Sequence, residues 1–224
     1  MGKQNKIVGV IGAKGSGKTF YAKRLFAATE HAIVVDTMGE YDSGFIVSDP
    51  HYMIQHLRNQ RRFRIVFLPL SEADFEFVCR AARAKGDLTL FIEEVHNYCT
   101  SHSINPQLQK VFRLGRHSNL NVVYTAQRYQ DISRLVTAQT DEFVLFRISE
   151  PVDFQAIEKR FGSSMAEKVS RLQDHDFVKI NVKEFRYAHS DSGGVRPGGG
   201  LASSDAGAEG VGEGNDDVAG VRVE

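Results

Sequence analysis

Apolar residues in this chain come in short, dense runs. IVGVI, AIVVD and LTLFI are continuous rather than alternating. Continuous runs of four to six residues, rich in Val and Ile, mark parallel strands covered on both faces. Seven strands are predicted: Lys6–Ile11, Ala32–Asp36, Phe63–Leu68, Leu88–Glu93, Asn121–Thr125, Glu142–Arg147 and Phe177–Asn181. Helical patterns fall between them, over Lys18–Ala28, Pro50–Asn59, Glu72–Lys85, Pro106–Leu114, Val152–Phe161 and Ser164–Leu172. Ser71 precedes one of these with acids in the first turn, an N-cap signal. Strands alternating with helices predict an α/β fold with a mostly parallel sheet between helical layers, a three-layer αβα arrangement. Its ligand edge lies where the strands end.

The last stretch, Ser190–Glu224, breaks the pattern. It is rich in Gly, Ser and Ala, contains no aromatic residue, and carries seven acids against two bases. Too little apolar surface is available there to offset ordering entropy, so residues 189–224 are expected to be a disordered tail behind a domain of residues 1–188. The formal net charge of the whole chain is zero, so residues 1–189 carry a net +5. That excess is compatible with a polyanionic partner and does not establish one. No apolar run reaches the roughly 18 residues of a membrane span. The N-terminus lacks a signal-peptide pattern. Cys79 and Cys99 are too few for a disulfide framework or metal cluster, which suits a reducing cytoplasm.

The chemistry begins at Gly12-Ala13-Lys14-Gly15-Ser16-Gly17-Lys18-Thr19, which fits G-x-x-x-x-G-K-S/T between a strand and a helix. Glycines let backbone N–H groups wrap a phosphate chain. The helix start presents its positive end to the anion. Lys18 is expected to reach the β and γ phosphates of ATP, and the Thr19 hydroxyl to ligate Mg²⁺, with Phe20 completing the nucleotide-binding segment. The run Leu88-Thr89-Leu90-Phe91-Ile92-Glu93-Glu94 supplies the second half of such a site. Glu93 is expected near the metal, through its water shell, and Glu94 to orient and deprotonate an attacking water. Gln127, at the end of a later strand, can sense the γ-phosphate; a plain loop glutamine is the alternative. Arg113 and Arg116 can reach a neighbouring subunit's phosphate or simply be solvated. Three histidines near Cys99 (His96, His102 and His117) lack zinc spacing. The basic run Arg58–Arg64 and the cluster Arg80, Arg83 and Lys85 can touch DNA phosphates or merely suit helix ends.

Four segments together carry a family resemblance: GAKGSGKT, Asp36-Thr37-Met38-Gly39-Glu40-Tyr41, FIEEVHNYC, and the stretch from GRHSNLNVVYTAQR to EPVDFQAI. The chain resembles the FtsK–HerA superfamily of P-loop DNA-pumping ATPases, above all its HerA and viral packaging branches. The resemblance implies a RecA-like core, a ring that is usually a hexamer, and translocation of double-stranded DNA. It also implies Glu94 as general base, Gln127 as polar sensor and Arg116 as a trans-acting finger. It leaves room for capsid or portal partners, and for a place in the host cytoplasm or the virion. One departure is Glu93, where the family usually has Asp; the added methylene carries the carboxylate outward by about one bond length. The other is size, since HerA's extra barrel and FtsK's membrane segments have no counterpart here. Other classes are a Zot-like morphogenesis ATPase, which usually carries a membrane span, a small-molecule kinase, and a nucleotide switch. A switch needs an N-K-x-D that the sequence lacks.

Overall fold

A computed structural model describes residues 5–184. The expected tail at residues 189–224, and with it the domain end at 188, lies outside the described residues. Eight strands form one sheet: β1 (Ile7–Ile11), β2 (His31–Val35), β3 (Phe45–Val47), β4 (Phe63–Phe67), β5 (Thr89–Ile92), β6 (Asn121–Ala126), β7 (Glu142–Phe146) and β8 (Phe177–Asn181). Their order is β3-β4-β2-β5-β6-β1-β7-β8. Every neighbouring pair is parallel except β7 and β8. All five residues of β1 are buried, as its unbroken apolar run requires.

The helices are α1 (Lys18–Ala28), α2 (Pro50–Asn59), α3 (Glu72–Lys85), α4 (Pro106–Leu114), α5 (Arg134–Gln139), α6 (Pro151–Phe161) and α7 (Ser163–Ser170). They cover the two sheet faces unequally. One face packs Ile33, Val35, Ile65 and Phe67 against apolar residues of α2 to α7. The other places Val8, Val10, Val34 and Phe91 under Phe26 of α1 and Tyr41. Phe26 meets both Tyr41 and Phe91 edge-on, with ring centroids 5.3 and 5.4 Å apart. The α/β, three-layer expectation therefore holds, with α1 as the helix of the thin layer among the described residues.

Two elements were missed by periodicity. β3 is only three residues long, pairs with β4 alone and has no buried residue, so its run Phe45-Ile46-Val47 is too short to mark a strand. α5 has six residues, too few for a 3.6-residue pattern to declare itself. Ser133 caps it, accepting from the Leu135 N–H. Asp49, Ser71 and Asn105 cap α2, α3 and α4 in the same way, and Pro50 and Pro106 occupy first-turn positions. The remaining differences are shifts of one or two residues at element ends.

The strand order positions the site. β6 lies between β1 and β5, so the strand carrying Gln127 separates the one entering the phosphate loop from the one ending in two acids. In a parallel sheet, those three C-terminal ends share one edge. β1 and β6 also approach closely on one face. A Cβ on Gly9 would lie 2.5 Å from the hydroxyl oxygen of Tyr124, a fully buried side chain that also hydrogen-bonds Thr140 at 2.9 Å. Gly9→Ala must displace that ring in a filled core. It should cost about 1–3 kcal/mol, read as a lowered thermal midpoint; an unchanged midpoint would show that the core has room there.

Candidate functional site

The loop Gly12–Gly17 joins β1 to α1. Gly15 and Gly17 have φ of 78° and 101°, a region L side chains avoid. Gly12 is needed for a different reason: a Cβ there would lie 2.5 Å from Ser16 Oγ and 2.6 Å from Phe146 Cβ. The loop is anchored by backbone hydrogen bonds, Gly12 N–H to the Ala126 carbonyl at 3.1 Å and Ala13 N–H to the Arg147 carbonyl at 2.9 Å. From above, His175 donates its N–H to the Ser16 carbonyl at 2.9 Å. α1 starts after Gly17 with no side-chain cap, unlike α2 to α5, and has no acid in its first turn. Its leading amides therefore remain open to an anion, and the helix dipole favours one.

Lys18 is 6% exposed, and its ammonium points at the acids rather than at solvent. Lys18 Nζ lies 3.5 Å from Glu94 Oε1. Gln127 Nε2 donates to the same oxygen at 3.3 Å. Glu94 sits in left-handed backbone, φ 50°, at the head of a 3-10 turn over Val95–Asn97. Its N–H donates to Thr125 Oγ1 at 2.9 Å, which fixes the turn against β6. Glu94 Oε2 lies 3.2 Å from His96 Nδ1 but lacks an aligned hydrogen bond.

Glu93 is 3% exposed, and both of its oxygens are engaged. Thr125 donates its hydroxyl to Oε2 at 2.6 Å, and Tyr41 donates its own to Oε1 at 2.5 Å. Tyr41 is delivered by the turn after β2. There Asp36, itself buried, accepts from the N–H groups of Met38, Gly39 and Tyr41 at 3.2, 2.9 and 2.8 Å. The D-x-x-G-E-Y segment is thus a carboxylate-closed turn that aims a phenol at Glu93. Burial pushes the Glu93 carboxyl up to about 7, against the pull of the Thr125 and Tyr41 hydrogen bonds, with the charges of Glu94 and Glu40 adding to the rise. Burial, with Glu93 beside it, also drives the Tyr41 phenol far above its ordinary value, so it stays a donor.

Among the described residues, three buried polar atoms have no hydrogen-bond partner: Ser16 Oγ, Thr37 Oγ1 and Glu94 Oε2. Two of them belong to the phosphate loop and the acid pair, as a site shaped for a polar ligand requires. Hydroxyls and carboxylates are the hard oxygen donors that suit Mg²⁺. No group of three or more His, Cys, Asp or Glu could hold a metal among the described residues, so Mg²⁺ would need phosphate and water oxygens besides the Thr19 hydroxyl.

The fold brings together Lys18, Glu93, Glu94 and Gln127. Thr19 is half-buried in the first turn of α1; Lys14 and Phe20 are exposed, Phe20 64% so. Arg113 and Arg116 are not at this edge. Arg116 lies beside Ile7, Gln139 and Asp141, at the end where β1 and β7 begin. Sequence reasoning gave no role to Tyr41 and Thr125, although both lie in noted segments. Arg147, whose carbonyl braces the phosphate loop, also lies in a noted segment without a role, and His175, which braces it too, carried no signal.

The model of the ATPase family associated with various cellular activities (AAA) matches residues 8–148. Among solved structures, the genome packaging NTPase B204 of Sulfolobus turreted icosahedral virus 2, in complex with AMPPCP, is similar, with TM-score 0.68 and 23% identity. That match covers 80% of this chain and 93% of the other. B204 of Sulfolobus turreted icosahedral virus, described as a DNA-packaging ATPase, has TM-score 0.66 and 21% identity, with 82% and 95% covered. At these identities the likeness is one of fold. No curated protein matches the sequence. No helix among the described residues is long and apolar enough to cross a membrane.

The raised Glu93 carboxyl makes stability depend on pH. Its folded value of about 7 lies above the roughly 4.3 of a free glutamate, so the folded state holds the proton more tightly. That contribution is complete below the unfolded value and is lost as pH rises through the folded one. Without nucleotide and in EDTA, wild type should lose on the order of 3 kcal/mol between pH 4 and pH 8 that Glu93→Gln does not lose. Thermal melts across that range check this; parallel pH profiles for the two proteins would refute it.

Proposed function

As the chain belongs to the AAA family of ATPases, a family of P-loop enzymes that bind and hydrolyse ATP, we propose that it is an ATP-driven translocase of double-stranded DNA that packages a viral genome. The observation that carries the reading is the meeting of Lys18, Glu94 and Gln127 from three different strand ends. The loop amides and the Lys18 ammonium hold the triphosphate. Gln127 and Lys18 hold one oxygen of Glu94, which leaves Oε2 without a hydrogen-bond partner. That oxygen is the acceptor for a proton from the attacking water, and the fixed carboxylate orients the water as it accepts. Mg²⁺, bound by Thr19 and through water by Glu93, would neutralise charge on the phosphates. The Tyr41 and Thr125 hydroxyls occupy both Glu93 oxygens, which favours an outer-sphere role for that residue and accommodates its extra methylene.

The packaging step rests on the fold likeness to B204 and on the D-x-x-G-E-Y and T-A-Q-R segments. Assembly into a ring, usually a hexamer, belongs to this reading. So does Arg116 of one subunit as the finger for its neighbour. Its place at the far end of the strands suits a contact between subunits rather than one within its own site. Capsid or portal partners, and residence in host cytoplasm or virion, follow from the same reading.

Lys18→Ala should lose ATP binding or turnover. Glu94→Gln should still bind ATP while kcat falls about 100-fold or more, the usual worth of a general base. Equilibrium binding of a fluorescent ATP analogue and steady-state phosphate release separate the two; normal turnover by Glu94→Gln would remove it as the base. Double-stranded DNA should stimulate wild-type ATPase, and light scattering should report a ring. Phosphate passed to a small acceptor, without DNA stimulation, would favour a kinase instead.

A further inference from the structure

Beside the catalytic edge runs a groove of about 860 Å³ that ATP hydrolysis does not use. Two of its walls continue the loops that carry active-site residues. Ser101 and His102 lie in a small hairpin closed by the Cys99–Ile104 bridge, a few residues beyond Glu94. Tyr129 and Gln130 come just after Gln127-Arg128. The facing wall is α6, with Gln155, Lys159 and Arg160, and Arg134 opens α5 at its margin.

The lining holds three permanent cations and no acid. Arg160 is a fixed one: it donates to the Tyr129 hydroxyl and the Thr137 carbonyl, both at 2.8 Å, with its guanidinium 4.9 Å from the Phe143 ring centroid. Arg134 and Lys159 are exposed and have no ion pair among the described residues. Two nearby acids, Asp153 and Asp131, face Arg128 at 3.2 and 3.9 Å. The amides of Gln130 and Gln155, the hydroxyls of Ser101, Tyr129 and Thr137 and the His102 ring fill the rest of the polar lining. Such a surface recognises repeated phosphodiester charge without reading sequence. The Arg58–Arg64 run is less available: Arg62 faces Glu30 at 3.4 Å and Arg64 donates to the Ala27 carbonyl.

The groove is also tied to the catalytic amide. Asp153 of α6 accepts from Arg128 Nε and from the Gln130 N–H at 2.9 Å, so the residues just after Gln127 are pinned to the groove's facing wall. Movement of α6 against the sheet would shift Gln127 relative to Glu94, whose contact is already long at 3.3 Å.

We propose that this groove takes the sugar–phosphate backbone of double-stranded DNA, and that its occupancy is transmitted to Glu94 through the loop from Gln127 to Ile132. The inference rests on the DNA-translocase reading and names its contact surface. The test uses the full chain with a fluorescent DNA duplex, its affinity measured by anisotropy over a salt series. Arg134→Gln/Lys159→Gln removes two exposed charges, so the slope of log K against log salt should shallow by about 2. DNA stimulation of its ATPase should fall in parallel. Arg83→Gln/Lys110→Gln, in a second basic groove between α3 and α4, should leave the slope unchanged. Wild type that binds DNA steeply, with an unaltered slope in the first variant, overturns the groove alone, as does a slope lost only in the second. Wild type with no affinity for DNA overturns the translocase reading and the groove together.

Discussion

A buried carboxyl group needs partners, and in this protein that need organises the catalytic edge. Glu93 closes β5 inside the core, where desolvation disfavours its charge. Its two oxygens recruit the hydroxyls of Tyr41 and Thr125. Tyr41 comes from the turn after β2, and Thr125 from β6. One side chain therefore ties together three neighbouring strands of the sheet. Thr125 serves twice, since its oxygen also accepts from the Glu94 N–H and so sets the left-handed backbone that turns Glu94 towards Lys18. Geometry at Glu94 depends on satisfaction of the acid before it.

The phosphate side follows the opposite rule. Four helices cap their first turns with side chains, while α1 leaves its amides open and brings a buried lysine instead. Uncapped amides, a lysine held among protein atoms and unpartnered oxygens on Ser16 and Glu94 cost stability in the free protein. A bound triphosphate would relieve these together, which would couple folding free energy to nucleotide binding. Backbone bonds to the Ala126 and Arg147 carbonyls, and the His175 contact, hold the loop in place.

Strand placement adds the third part. β6 between β1 and β5 places an amide between the loop and the acids. The same strand continues into a segment pinned to α6 by Asp153. Chemistry at the edge and the cationic groove beside it are therefore built on one stretch of chain, as a coupled machine would require.

The sequence alone determined most of the elements, because continuous apolar runs and helical spacing are local properties of the chain. It determined the phosphate loop for the same reason: glycines, lysine and threonine at fixed spacing are legible wherever a strand precedes them. β3 and α5 escaped because three half-exposed residues and a six-residue helix carry no period. Glu93 and Glu94 could be read as a pair, but not their division of labour. Which acid is sealed between two hydroxyls and which faces Lys18 depends on residues 32 to 76 positions apart, and only the packed sheet brings these together. The D-x-x-G-E-Y segment stood out as a pattern, yet its work, aiming Tyr41 at Glu93, was decided by tertiary structure. So was the bracing of the phosphate loop by His175, some 160 residues away along the chain. Local sequence sets what each segment can become; the burial of charge, settled only when the sheet closes, decides which side chains face one another.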